Sequence, residues 1–188
     1  MNPSQNPSAL RSKKEITQAL LQLMSTYSYN EITVKQILLE SKVARKTFYR
    51  NFLSKDDVLD TYIGSVMQQY IDSLQQLPDC QLSGILDVIL EFCIQNQELF
   101  FLLRDNNLMH MFLQKWNTFI PMIHNQIVSP DYPIFREFSA AEIDYIIAFN
   151  IGAIWNVIMK WIEQDMKDSP DAIKKTLLKY ITTSSRFS

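Results

Sequence analysis

Apolar residues recur at three- and four-residue spacing through most of the chain, which predicts helices rather than strands. In the first such segment, Ile16, Leu20, Leu23 and Tyr27 fall on one helical face. Prolines, polar breaks and helix-start signals divide the remainder into about nine helices, and no segment alternates as a strand does. The chain contains only three glycines, which also favours helix. We therefore expect an all-α fold.

Cap signals indicate where several helices begin. Thr33 and Gln36 have the spacing of a capping box, and so do Ser139 and Glu142. Ser54 stands just before two aspartates, whose negative charge suits a helix N-terminus. These signals predict helices that begin after residues 33, 54 and 139.

The order of these elements predicts two domains. Residues 1–7 contain two prolines and are expected to form an arm. Between Ile32 and Lys55, two short helices joined by a tight turn follow a longer helix, which is typical of a three-helix helix-turn-helix domain. We assign residues 1–53 to that domain and residues 54–188 to a larger helical domain.

The charge is distributed unevenly between these domains. Residues 1–55 hold nine Lys/Arg and three Glu, a net charge of +6, whereas residues 56–188 hold nine Lys/Arg and seventeen Asp/Glu, a net charge of −8. No acidic residue lies between Val43 and Lys55. A helix that enters the major groove must lack acidic groups on its outer face, so this segment is a candidate DNA reader. Chance clustering and a solvated basic surface helix are the alternatives.

A longer pattern is more specific. The run TFYRNF at 47–52, followed by SKDD at 54–57, resembles the TetR/AcrR family of bacterial transcription regulators, and the resemblance covers about residues 9–62. It implies a homodimer that binds a palindromic or near-palindromic double-stranded DNA operator, with residues 54–188 as the domain for effector binding and dimerisation. Two residues depart from the family pattern, because Lys42 stands where the family usually has Gly and Ala44 where it often has a Ser N-cap.

The resemblance also implies roles for individual residues. Arg45 and Lys46 would reach bases or adjacent phosphates from the start of the recognition helix, and Lys35 would reach DNA from the bracing helix. Phe48 and Phe52 would be core residues. The predicted DNA-binding residues are Thr33, Lys35, Ala44, Arg45, Lys46, Thr47, Tyr49, Arg50 and Lys55, with Asn51 as a further candidate.

The last two predicted helices are the candidates for subunit pairing. The first of them carries a broad apolar surface, and monomers avoid large exposed apolar patches. A helix buried within one chain is the alternative. A membrane span over residues 146–162 is disfavoured by Asn150, Asn156 and Lys160. The predicted dimer residues are Ile147, Ile151, Trp155, Ile158, Ile162 and Leu177.

The middle helices are rich in methionine and aromatic residues, which suit either a ligand pocket or an ordinary core. The segment 152–177 is also similar to the C-terminal region of a TetR branch that includes regulators of dihydroxyacetone kinase operons. This similarity does not identify an effector. The candidate pocket residues are Tyr62, Phe92, Phe112, Trp116 and Phe119.

Enzyme chemistry finds little support, because His110 and His124 have no metal-ligand or catalytic spacing. We expect no catalytic residue, no metal and no cofactor. The N-terminus lacks the apolar core of a signal peptide, and Cys80 and Cys93 are isolated, so a cytoplasmic location is expected.

We therefore expect a dimeric repressor that a small-molecule effector releases from DNA. The alternatives are an activator or co-regulator controlled by a protein partner, and a helical protein–protein adaptor.

Overall fold

A computed structural model describes residues 7–78, 81–127 and 137–184. Within these ranges the chain forms nine α-helices and one 3-10 turn, with no strand, which confirms the all-α prediction. Apart from Pro7, the predicted arm lies outside the described residues. The helices are α1 (Pro7–Met24), α2 (Val34–Ser41), α3 (Arg45–Asn51), α4 (Lys55–Gln75), α5 (Leu82–Gln95), α6 (Gln97–Asp105), α7 (Met109–Ile127), α8 (Ala140–Glu163) and α9 (Pro170–Ser184); the 3-10 turn is Tyr29–Glu31.

The long helix α1 and the two short helices α2 and α3 form what we call the head, residues 7–53. Both α2 and α3 pack against α1, which presents Ile16 and Leu20 as fully buried side chains. Ile37 of α2 and Phe48 of α3 are also fully buried. The apolar side of each short helix is therefore fixed by α1, and its polar side is left for other contacts.

The predicted helix starts are confirmed by their side-chain hydrogen bonds. Thr33 and Gln36 form a reciprocal capping box, and Ser139 forms another with Glu142. Ser54 accepts a hydrogen bond from the Asp57 backbone N–H at 3.1 Å. Because Ser139 donates to Glu142, the pKa of this carboxyl is lowered below its ordinary value.

We call α4–α9 the body. The long helix α4 packs against α1 on one side and against α5 and α7 on the other. Further on, α7 and α6 both contact α8, and α9 packs on α5. Buried residues from α1 to just beyond α8 form one hydrophobic cluster, so head and body share a core. The predicted boundary at residues 53/54 therefore lies within a packed unit and remains a prediction.

Helices α7 and α8 are the two longest helices that follow α4. Among the described residues, only α8 is long and apolar enough to cross a membrane, a property that the core helices of soluble proteins share. It packs here against α6 and α7. Helix α7 continues past Pro121 to Ile127.

Candidate nucleic-acid interface

The turn between α2 and α3 has the backbone geometry expected of a glycine. Lys42 adopts a left-handed conformation, with φ 55° and ψ 23°. For a residue with a Cβ this conformation is strained by roughly 1 kcal/mol or more. Ala44 then begins α3 without any side-chain cap. Both departures from the family pattern thus fall in the turn, and the turn forms despite them.

Helix α3 is divided between an inner and an outer face. Phe48 and the following Phe52 are buried, as expected. Arg45, Lys46 and Arg50 are exposed, and within the described ranges none of these three forms an ion pair. Unpaired cations on an acid-free face are available to a polyanion.

Two polar side chains accompany these cations. Tyr49 is 46% exposed, and the Arg45 guanidinium lies 5.6 Å from the centre of its ring. Thr47 is half-buried, and its carbonyl accepts a hydrogen bond from the Asn51 side-chain amide at 2.8 Å. Asn51 is therefore occupied within its own helix.

The bracing helix contributes less. Lys35 is exposed near the start of α2. Thr33 is exposed too, but its hydroxyl already takes part in the capping box with Gln36. Of these two residues, Lys35 is the one whose polar group is free of a described contact.

Lys55 has a different environment from the phosphate contact expected of it. Its ammonium group donates to the carbonyl oxygens of Tyr29 at 2.6 Å, Ile32 at 2.8 Å and Asn30 at 3.3 Å. It also lies 4.5 Å from the centre of the Tyr29 ring. An ammonium has three N–H donors, and three carbonyls occupy them. The residue therefore ties α4 to the α1–α2 connection.

Tyr29 is the centre of this junction, and the sequence alone did not single it out. Its hydroxyl donates to the Asp56 carboxylate at 2.5 Å, and its backbone N–H donates to the Asn106 side-chain oxygen at 2.8 Å. Burial, followed by the interaction with Asp56, raises the pKa of Tyr29 above its ordinary value. A lone aromatic residue next to a helix start gives no sequence signal for these contacts.

The apolar face predicted for pairing lies largely inside the chain. Ile147 and Ile151 are 7% and 8% exposed, and Ile158 and Ile162 are 3% and 0% exposed. These four side chains therefore belong to the core of one chain, because α8 directs them toward its neighbours in the body. Trp155 and Leu177 are half-buried. The opposite side of α8 exposes Tyr145 at 79% and Phe149 at 75%, which sequence reasoning did not single out.

The aromatic residues predicted for a pocket are mostly core. Phe92, Phe112 and Trp116 are 5%, 1% and 2% exposed. Phe112 packs on Phe92 and Trp116 with ring centres 6.3 and 6.2 Å apart, and stacks on Trp155 at 6.2 Å. Tyr62 and Phe119 are half-buried. The three buried rings therefore fit the alternative interpretation of this cluster, which is an ordinary core.

A groove of about 570 Å³ lies instead between α7 and α8. Its wall is mostly apolar, and Asp144 and Asn117 supply polar groups. None of the five residues predicted for a pocket lines it. It shares Ile147, Ile151 and Trp155 with the predicted dimer face. The lining residues are Leu113, Asn117, Asp144, Ile147, Ala148, Ile151, Gly152 and Trp155.

A braced short helix with a cationic outer face, placed before a larger helical body, defines the class of helix-turn-helix regulators. Residues 16–62 match the family model of bacterial regulatory proteins of the tetR family, and residues 80–183 match that of a transcriptional regulator C-terminal region. The chain therefore belongs to the TetR family of transcriptional regulators, as its sequence motif predicted. Members of this family act on DNA, typically as dimers.

Individual relatives agree with this assignment. The dhaKLM operon transcriptional activator DhaS of Lactococcus lactis is 26% identical over 145 residues, which cover 76% of this chain and 74% of that protein. A solved dihydroxyacetone kinase operon activator DhaS has a TM-score of 0.57 and 19% identity, covering 94% of this chain and 97% of that one.

Two further solved structures share the fold. The fatty acid degradation regulator FadR from Bacillus halodurans has a TM-score of 0.66 and 16% identity, with 92% and 93% of the two chains covered. A TetR transcriptional regulator from Streptococcus agalactiae has a TM-score of 0.63 and 20% identity, with 93% and 95% covered. At these identities the similarity concerns the fold alone.

Proposed function

We propose that this protein regulates transcription by binding duplex DNA through α3, with Arg45, Lys46 and Arg50 directed at the duplex. The observation that supports this proposal is the exposed, acid-free cationic face of α3. Thr47 and Tyr49 supply hydroxyl groups, and Lys35 supplies a further cation from α2. Ala44 and Thr33 lie at the starts of the two helices, where backbone N–H groups also suit phosphate.

The test is a salt titration of binding to a duplex from the region upstream of the protein's own gene. Each phosphate contact contributes about −0.9 to the slope of log K against log salt. We expect Lys46→Ala to weaken binding and to reduce the slope by about one. The matched control is Lys179→Ala, which removes an exposed lysine from α9. Equal effects of the two variants, or binding that does not depend on salt, would contradict the proposal.

We further propose a homodimer that pairs through the exposed side of α8, around Tyr145 and Phe149. Tyr180 and Ile181 of α9 are also exposed, at 70% and 43%. Two exposed aromatic rings separated by one helical turn are costly for a monomer in water. A two-fold pairing would also place two recognition helices on the two halves of a symmetric site.

Sedimentation equilibrium tests this pairing. Phe149→Asp places a charge in the proposed interface and should yield a folded monomer. Leu82→Asp is the control, since it changes another apolar side chain that is 38% exposed, on α5. A wild-type monomer, or a Phe149→Asp variant that remains a dimer, would refute this interface.

For regulation, we propose that a small molecule binds in the groove between α7 and α8. The apolar wall suits an apolar ligand body, and Asp144 with Asn117 would hold a polar or cationic group. Such a ligand would release a repressor from its operator. Asp144→Asn should weaken the response of DNA binding to an inducing ligand while leaving ligand-free DNA affinity unchanged.

Activation is the second candidate function, because the 26% identical relative is named an activator. An activator could equally respond to a protein partner. In-vitro transcription from the upstream promoter distinguishes repression from activation. Added protein lowers the transcript level if it represses and raises it if it activates.

A further inference from the structure

Two polar side chains at the end of α6 reach in opposite directions. Arg104 lies in the last turn of this nine-residue helix, and Asn106 is the residue just after it. Arg104 contacts the end of α8, whereas Asn106 contacts the connection between α1 and α2. The short, stiff helix α6 thereby joins two distant parts of the molecule.

On the head side, Asn106 uses its whole carboxamide. Its side-chain oxygen accepts the Tyr29 backbone N–H at 2.8 Å. Its side-chain nitrogen donates to the Met24 carbonyl at 3.3 Å and to the Leu102 carbonyl at 3.0 Å. Met24 is the last residue of α1, and Tyr29 begins the 3-10 turn that leads into α2. Asn106 therefore fixes the start of the helix-turn-helix segment to α6.

On the body side, Arg104 holds the end of α8. One guanidinium nitrogen donates to the Ile162 carbonyl at 2.7 Å and to the Asp165 carboxylate at 2.9 Å. Its guanidinium lies 4.8 Å from the centre of the Phe101 ring. The chain leaves α8 through two left-handed residues, Asp165 and Met166, with φ 55° and 50°. Arg104 thus contacts both the last turn of α8, at Ile162, and the first residues after it, at Asp165.

We propose that Arg104 and Asn106 are positioning residues that couple the end of α8 to the α1–α2 connection through α6. A displacement of α8 moves Arg104, rotates or shifts α6 as a unit, and changes the hydrogen bond that Asn106 makes to Tyr29. Tyr29 then carries the change to α4 through Lys55 and Asp56. The effect on DNA affinity rests on the proposed function, whereas the coupling itself does not require DNA.

Hydrogen exchange of the Tyr29 backbone N–H reads the coupling directly in the free protein. Asn106→Ala removes the acceptor and should speed exchange by about tenfold or more. Arg104→Met keeps the aliphatic stem and removes the guanidinium; although its side chain does not touch Tyr29, it should speed the same amide several-fold. The double variant should exchange no faster than Asn106→Ala alone, because both changes break one chain of contacts.

The controls separate coupling from general loss of stability. Lys115→Met removes another ion pair of the body, the 2.7 Å contact with Asp60 that joins α7 to α4. It should leave the exchange of the Tyr29 amide unchanged. The amide of Ile63, at a fully buried position in α4, reports global opening. The proposal is overturned if Arg104→Met leaves the Tyr29 amide as in the wild type, or speeds the Ile63 amide by the same factor.

Duplex affinity provides the second readout. Arg104→Met and Asn106→Ala should change the Kd for the upstream duplex in the same direction, by about threefold or more, and the double variant should match the larger single effect. Unchanged Kd values for both variants would refute a role in DNA binding. If the wild type shows no salt-dependent binding at all, the proposed function fails, and the exchange measurement still decides the coupling.

Discussion

Replacing Lys55 with methionine separates two roles that its position permits. The expected phosphate contact would make Lys55 part of the DNA-binding surface, whereas its three carbonyl partners make it part of the fold. Methionine keeps most of the aliphatic stem at the start of α4 and removes the ammonium group. The Tyr29, Asn30 and Ile32 carbonyls then lose their cationic donor.

The magnitude follows from these contacts. A hydrogen bond to a charged group contributes about 1.5–3 kcal/mol net, and the cation–π contact adds about 0.5–1 kcal/mol. Water partly replaces the donor, since Lys55 is half-buried and the Asn30 contact is long. We therefore expect Lys55→Met to reduce the free energy of unfolding by about 2–3 kcal/mol in total. For a chain of this size that corresponds to a Tm lower by roughly 4–12 °C.

Urea denaturation followed by circular dichroism measures this loss, and the salt titration of duplex binding measures the other role. When binding is measured at a temperature where both proteins are folded, Lys55→Met should have the same salt slope as the wild type. Lys46→Met is the matched control, because it removes an exposed lysine from α3. This variant should have a smaller salt slope and an unchanged free energy of unfolding. A Lys55→Met variant that keeps the wild-type stability and lowers the slope by about one would refute the structural role of Lys55.

Three other predictions concern the turn, the aromatic core and alkaline pH. Ala44→Ser supplies the missing cap of α3 and should raise the free energy of unfolding by about 0.5–1 kcal/mol in urea titrations; no gain would mean that the start of α3 is already satisfied. Phe112→Ala removes a ring that is 1% exposed and should cost about 3–5 kcal/mol, seen as a lower thermal midpoint, and a change below about 1 kcal/mol would contradict the packing described. The folded pKa of Tyr29 lies above its ordinary value of about 10, so the stability associated with its protonated form is complete below that pH and is lost as the pH rises beyond it. Urea midpoints measured between about pH 8 and 11 should therefore fall more steeply for the wild type than for Tyr29→Phe, and equal slopes would count against a buried, protonated Tyr29.

Local patterns predicted the parts of this protein that depend on neighbours in sequence. The capping boxes at Thr33 and Ser139 follow from a spacing of three residues, and the inward Phe48 follows from helical periodicity. All of these contacts form within one or two turns of the chain, so sequence alone contains their physical cause.

Contacts between distant segments were not predictable in the same way. The carbonyl partners of Lys55 lie 23 to 26 positions away, and Asn106 meets Tyr29 across 77 positions. Nothing in either local segment marks these residues as partners. The residues that form the junction between head and body were therefore missed, although the helices that carry them were predicted.

The sequence did not show which face of α8 is left for pairing with a second chain. Ile147, Ile151 and Ile158 are the more hydrophobic side chains, and periodicity ranks their face first for burial. Periodicity does not say whether a face is buried within one chain or against a second. With the isoleucines inside, the exposed Tyr145 and Phe149 become the candidates for pairing, and this face remains a proposal.

The placement of the aromatic cluster makes the protein its own optical reporter. All three tryptophans of the chain, Trp116, Trp155 and Trp161, lie in α7 and α8, and the head has none. Intrinsic tryptophan fluorescence therefore reports on the body and not on the surface of α3. A change in emission on adding duplex DNA would have to originate some distance from the site of contact, so that unlabelled protein can reveal communication between head and body in a simple titration.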